Sequence, residues 1–158
     1  MFENFEHVSG FDEVLFDIRV RKINRTTMAL NGSMVLKVPI QNDLRVSMDL
    51  FHSRLGNQQF NHYPMKLPTS GYCDFIDNIY TDYQQVMEQI ENIPAKGECP
   101  ISLRSIIFRD LIFPSEMIPL TMPRGLWKVI MIGERSGKMV YTYHVLVKVY
   151  DELSSFSF

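Results

Sequence analysis

The chain has 158 residues, 46% of them hydrophobic and 22% charged, with a formal net charge of -2. That length fits one domain over 1–158, able to bury ~70% of its unfolded surface around a single core. So small a charge creates no field that would draw in nucleic acid, and no apolar run approaches the ~18 residues needed to cross a bilayer, so neither a nucleic-acid partner nor a transmembrane segment is expected.

The opening stretch Met1-Phe2-Glu3-Asn4-Phe5-Glu6 is acidic and has neither the basic nor the apolar region of a signal peptide. Val14, Phe16, Ile18 and Val20 then alternate with Asp17, Arg19 and Arg21, the period-2 pattern of a half-buried strand. Arg19, Arg21 and Arg25 form its solvated face. Met28 and Leu30 keep the even register, and Met34, Leu36, Val38 and Ile40 resume it beyond Asn31-Gly32-Ser33. A three-residue loop there, with Gly32 free to take positive φ, preserves the apolar face where a two-residue loop would invert it, so the spacing predicts a hairpin tip at 31–33. Leu44, Val46, Met48 and Leu50 mark another strand, and 60–63 a short one before Pro64 and Pro68.

From Phe75 the period changes. Phe75, Ile76, Ile79, Tyr80, Tyr83, Val86, Met87 and Ile90 recur at three- and four-residue spacing, which predicts one amphipathic helix near 75–91. Asp74, Asp77 and Asp82 suit the positive end of its dipole better than they suit an acid–base pair. Residues 101–113 are apolar and partly β-branched, giving one strand or two short ones. A closing hairpin pairs 126–132 with 139–150 around Glu134-Arg135-Ser136-Gly137. About seven to eight antiparallel strands with one helix make the fold mainly β, a β-sandwich or β-cup.

Cys73 and Cys99 are the only cysteines. They flank the helix and read as a disulfide framework, with two unpaired buried thiols as the alternative. A bridge would close a loop of roughly 25 residues and contribute ~3 to 4 kcal/mol. Asn24-Arg25-Thr26 and Asn31-Gly32-Ser33 have the glycosylation acceptor pattern, making Asn24 and Asn31 candidate modification sites, although about one such match arises by chance. Together these features favour a secreted, extracellular protein whose leader lies outside this sequence.

His7, His52, His62 and His144 are scattered, and the chain has no CxxC pair, GxSxG elbow or phosphate-binding glycine loop. No metal, cofactor or catalytic residue is expected, and the chain reads as a binding protein with no enzyme activity. Ten Met, eleven Phe, seven Tyr and one Trp form an apolar inventory suited either to an adaptable cavity or to a filled sandwich core.

Tyr72-Cys73-Asp74-Phe75, then Glu98-Cys99-Pro100, then Met122-Pro123-Arg124-Gly125-Leu126-Trp127 and a closing strand give the chain its resemblance to a family. The order and spacing resemble a family of small secreted insect proteins that includes the CheB chemosensory proteins, itself similar to the ganglioside activator and ML lipid-recognition domains. Ile23-Asn24-Arg25-Thr26 suits the family's first half, whereas the extra N-terminal cysteines common in relatives are missing. The resemblance implies a cup around an apolar pocket, Cys73 bridged to Cys99, and Trp127 at a family aromatic position.

The function expected is a chemosensory carrier or presenter of a lipid, fatty acid or hydrocarbon pheromone, with a membrane receptor as a further possible partner. The expected ligand wall is Met48, Leu50, Phe60, Phe75, Ile79, Phe108, Phe113, Met117 and Trp127. The alternative is an interaction module with a filled core that binds a protein partner by its surface or an edge strand.

Overall fold

The computed structural model describes residues 1–57, 59–64, 68–112 and 122–150. Two antiparallel sheets face each other, with one helix beside them. The larger sheet has the order β1-β9-β8-β4-β5, formed by β1 (Phe2–Ser9), β9 (Lys138–Val149), β8 (Gly125–Arg135), β4 (Arg45–Ser53) and β5 (Asn61–Tyr63). The two-residue β6 (Ser70–Gly71) adds to β4. The smaller sheet is β2 (Val14–Asn24), β3 (Thr27–Leu36) and β7 (Arg104–Leu111), in that order. Mainly β architecture and a two-sheet sandwich with a single helix follow as expected from the alternation.

The β2–β3 hairpin corrects one expectation. Its tip is at Arg25 and Thr26, and the segment 31–33 lies in the middle of β3. Val20 pairs with Leu30 and Val14 with Leu36, a register that also keeps every even residue on one face. Parity alone could not separate the two turns. Gly32 is used for close approach: with φ at 133°, a Cβ there would sit 2.0 Å from the Asp17 carbonyl oxygen on β2.

The strand β1 lacks an alternation signal because bulges fall between Phe2 and Asn4 and between His7 and Ser9. In the 101–113 segment the strand occupies Arg104–Leu111, while Ile101 makes an isolated bridge to Ile40.

The helix α1 (Tyr72–Met87) starts earlier and ends earlier than its apolar spacing indicates. Its N-terminus is satisfied from a distance: Asp74 N donates to Asn42 Oδ1 at 3.1 Å, and Tyr72 N donates to the Leu44 carbonyl at 2.8 Å. At the other end Glu91 is already bridged to Ile107 of β7, which pulls the chain out of the helix. Tyr83 has non-helical φ and ψ and kinks α1 near its last turn.

Cys73 and Cys99 form a disulfide with Cα atoms 6.0 Å apart. It ties the first turn of α1 to the cis Cys99–Pro100 peptide that leads toward β7. Around this bridged end Val14, Leu36, Ile40, Leu44, Ile101 and Ile106 are almost fully buried. Arg135, at the β8–β9 turn, donates from Nη1 to both carboxylate oxygens of Glu13 at 2.6 and 2.8 Å and reaches Asp43 at 3.2 Å, joining the two sheets at the same end.

Candidate functional site

Strand alternation decides which side chains point between the sheets, and the registers align them in rows. Nearest the bridged end, Val46, Gly133 and Tyr141 of the larger sheet are buried, as are Phe16, Met34 and Ile106 of the smaller. Farther along, the packing loosens. Met48, Val129, Tyr143 and Val145 on one sheet and Ile18, Val20 and Phe108 on the other point inward yet are only half-buried, among the buried Leu50, Met131, Leu30 and Leu111. Burial is therefore most complete near the bridged end and less so along the middle of the two sheets.

Phe75 and Ile79 of α1 are half-buried and pack against this same core. Of the expected wall, Met48, Phe75, Ile79 and Phe108 thus border one core region, and Leu50 is buried outside that cluster. Trp127 is fully buried in a separate aromatic group, stacked 4.5 Å from His52 with Tyr63 edge-on at 4.8 Å, and its Nε1 donates to the Pro123 carbonyl at 2.9 Å. Phe60 lies elsewhere: Lys128 Nζ, on the outward side of β8, sits 5.7 Å from the Phe60 ring centre. Phe113 and Met117 lie outside the described residues.

The expected wall omitted Tyr72, Tyr141 and Tyr143, together with Ile18, Val20, Val129 and Val145. Tyr141 and Tyr143 stack with ring centres 5.9 Å apart, and Phe16 packs against both at 5.2 and 4.5 Å. Phe5 stacks on Tyr143 at 5.0 Å, closing the β1–β2 side. Tyr72, in the first turn of α1, directs its hydroxyl to Met34 Sδ at 3.7 Å. Burial pushes all three phenols well above their usual range. Tyr72 and Tyr141 are raised further by the repulsion that neighbouring phenolates would exert. The signal for this trio was present in the register of the β8–β9 hairpin, but the approach of Tyr72 depends on how α1 docks.

Two surface concavities of about 520 Å³ each lie away from this interior. One is bordered by Glu3, Arg54, Arg124 and Lys148 beside the ends of β1, β8 and β9; the other lies along Asp17, Arg19, Arg21 and Asn31.

Asn24 is exposed beside the β2–β3 turn, where its Oδ1 accepts from Thr26 N at 3.0 Å and from the Thr26 hydroxyl at 3.2 Å. Asn31 sits within β3 with both amide atoms engaged by Asp110, its Nδ2 donating at 2.8 Å and its Oδ1 accepting from the backbone N at 2.9 Å. That removes the exposed-tip argument for Asn31.

Among the described residues no group of three or more His, Cys, Asp or Glu could hold a metal ion, and no helix is long and apolar enough to cross a membrane. No family model and no curated protein sequence matches this chain.

Proposed function

We propose that the protein is a secreted, non-catalytic carrier of an apolar ligand, held between the two sheets. The observation that supports this is the half-buried set Ile18, Val20, Met48, Phe108, Val129 and Val145, whose side chains point into the sandwich but are not closed over. Apolar surface left accessible between two sheets is unfavourable by ~25 cal/mol per Å², and an apolar ligand would recover that free energy. Met48 and Phe108 face the space from opposite sheets with side chains that adapt to or stack on a chain-like ligand. The resemblance to insect chemosensory and lipid-recognition families points the same way, to a lipid or a hydrocarbon-like signal presented to a receptor.

Native mass spectrometry of protein from an insect secretory host tests the proposal, together with uptake of Nile red. A co-purifying lipid or saturable probe uptake is expected, and Met48→Trp combined with Val129→Phe should abolish uptake by filling the space. Clean protein that takes up no probe would sink the carrier reading.

A second reading has its own observation. The outward face of the larger sheet carries half-buried Phe51, Ile130, Ile132 and Leu146 between polar neighbours, a surface on which a protein partner could pack. Substituting Ile130 and Ile132 by Lys would disrupt partner binding and leave probe uptake intact.

A further inference from the structure

Three tyrosine hydroxyls stand out inside an otherwise apolar sandwich. Tyr141 is 1% exposed, and neither it nor Tyr143 has a hydrogen-bond partner for its hydroxyl among the described residues. Yet no enclosed side-chain polar atom there is left unpaired, so both hydroxyls retain contact with accessible space. Tyr143 makes the point most directly: its side chain is half-buried and keeps accessible surface while its ring packs against Phe5, Phe16 and Tyr141. Tyr72 has only the sulfur of Met34, a weak acceptor that a ligand oxygen would displace.

The charges around this group are as informative as the hydroxyls. Among the described inward-facing strand positions, Lys and Arg occur only toward the ends: Lys22 is exposed near the hairpin, Arg104 is engaged by Glu98, Ser102 and the Asn92 carbonyl, and Arg135 is engaged by Glu13 and Asp43. A carboxylate carried to the tyrosines would be buried without a counter-charge, which is strongly unfavourable. A plain hydrocarbon would leave the hydroxyls without partners. An alcohol, ester, ketone or aldehyde oxygen meets both conditions, because the phenols can donate to it and it brings no charge.

We propose that Tyr72, Tyr141 and Tyr143 are the polar anchor of the cup and select a long-chain ligand with an uncharged oxygen-bearing head group over a fatty-acid carboxylate or an alkane. This rests on the carrier function proposed above and narrows its ligand class.

The test is displacement of Nile red at neutral pH by four ligands of matched chain length: an alkane, a primary alcohol, a methyl ester and a carboxylate. The alcohol and ester should displace the probe at concentrations about tenfold lower than the other two, the scale of one or two hydrogen bonds. Tyr143→Phe and the double variant Tyr141→Phe/Tyr143→Phe should bring the alcohol to the level of the alkane, each displacement being referred to that variant's own affinity for Nile red, and should leave Tm unchanged, since they delete only unpartnered hydroxyls. Equal displacement by alkane and alcohol, tightest binding of the carboxylate, or indifference to the Phe variants would overturn the selectivity with the carrier function intact. Absence of any probe uptake would instead remove the carrier function and this inference with it.

Discussion

The ring of Tyr141 covers Gly133, its register partner on β8, so closely that a Cβ at 133 would lie 2.3 Å from Tyr141 Cε2. The missing side chain at 133 is what lets a fully buried tyrosine lie against the sheet at the packed end of the sandwich. Gly133→Ala should push the ring off its seat and destabilise the fold by about 1–3 kcal/mol, the usual scale of overpacking. Chemical denaturation would measure the loss. The near-ultraviolet circular dichroism of the aromatic cluster should change with it, and an unchanged spectrum and midpoint would contradict the account.

Cys73 and Cys99 are separated by 26 residues, and breaking their bridge frees that loop in the unfolded chain. Cys73→Ser/Cys99→Ser should lower stability by about 3 to 4 kcal/mol relative to the bridged protein. Intact mass under non-reducing conditions should fall short of the reduced mass by two hydrogens, and a protein that melts identically with and without reductant would contradict the structural role.

Alkaline pH should unfold the protein through its interior tyrosines. Tyr72, Tyr141 and Tyr143 have folded-state pKa values raised above the unfolded value by burial. A raised acid contributes stability that is fully present below the unfolded value of ~10 and is lost as pH climbs toward the folded value, because only the unfolded chain can ionise. Phenolate absorbance from these three should therefore rise together with loss of strand signal. Full titration of all tyrosines with the fold intact would show that the trio is not buried.

Glycan occupancy should separate the two acceptor sequences. In a secretory host Asn24, exposed beside its turn, should carry glycan, and Asn31, held through both amide atoms by Asp110, should not. Peptide mapping reads this directly, and glycan at Asn31 would mean that the β3–β7 contact forms after modification or not at all.

Elements with unbroken alternation or unbroken helical spacing were legible in the sequence: β2, β4, the β8–β9 hairpin and the body of α1 all follow from their own residues. What failed depended on partners. The start of α1 is fixed by Asn42, thirty-two residues before Asp74, and the β2–β3 turn had a competitor of equal parity that only the observed register eliminates. Likewise β1 is bulged twice, so Phe2, Phe5 and His7 lose the period that would have announced them. For the site, residue type indicated Met48, Phe75, Ile79 and Phe108. The tyrosine trio required knowing that the first turn of α1 docks beside Met34.

The disulfide also has a mechanical consequence. Tyr72 N is bonded to the Leu44 carbonyl at the head of β4, and Cys73 beside it is bonded covalently to Cys99 on the path into β7, so the two sheets are clasped at one end. Arg135 and Glu13 form a second fastening there. Any parting of the two sheets must therefore pivot about this clasp, β7 and β4 being held like the covers of a book bound at the spine, with the least displacement beside Tyr72 and the most at the far ends.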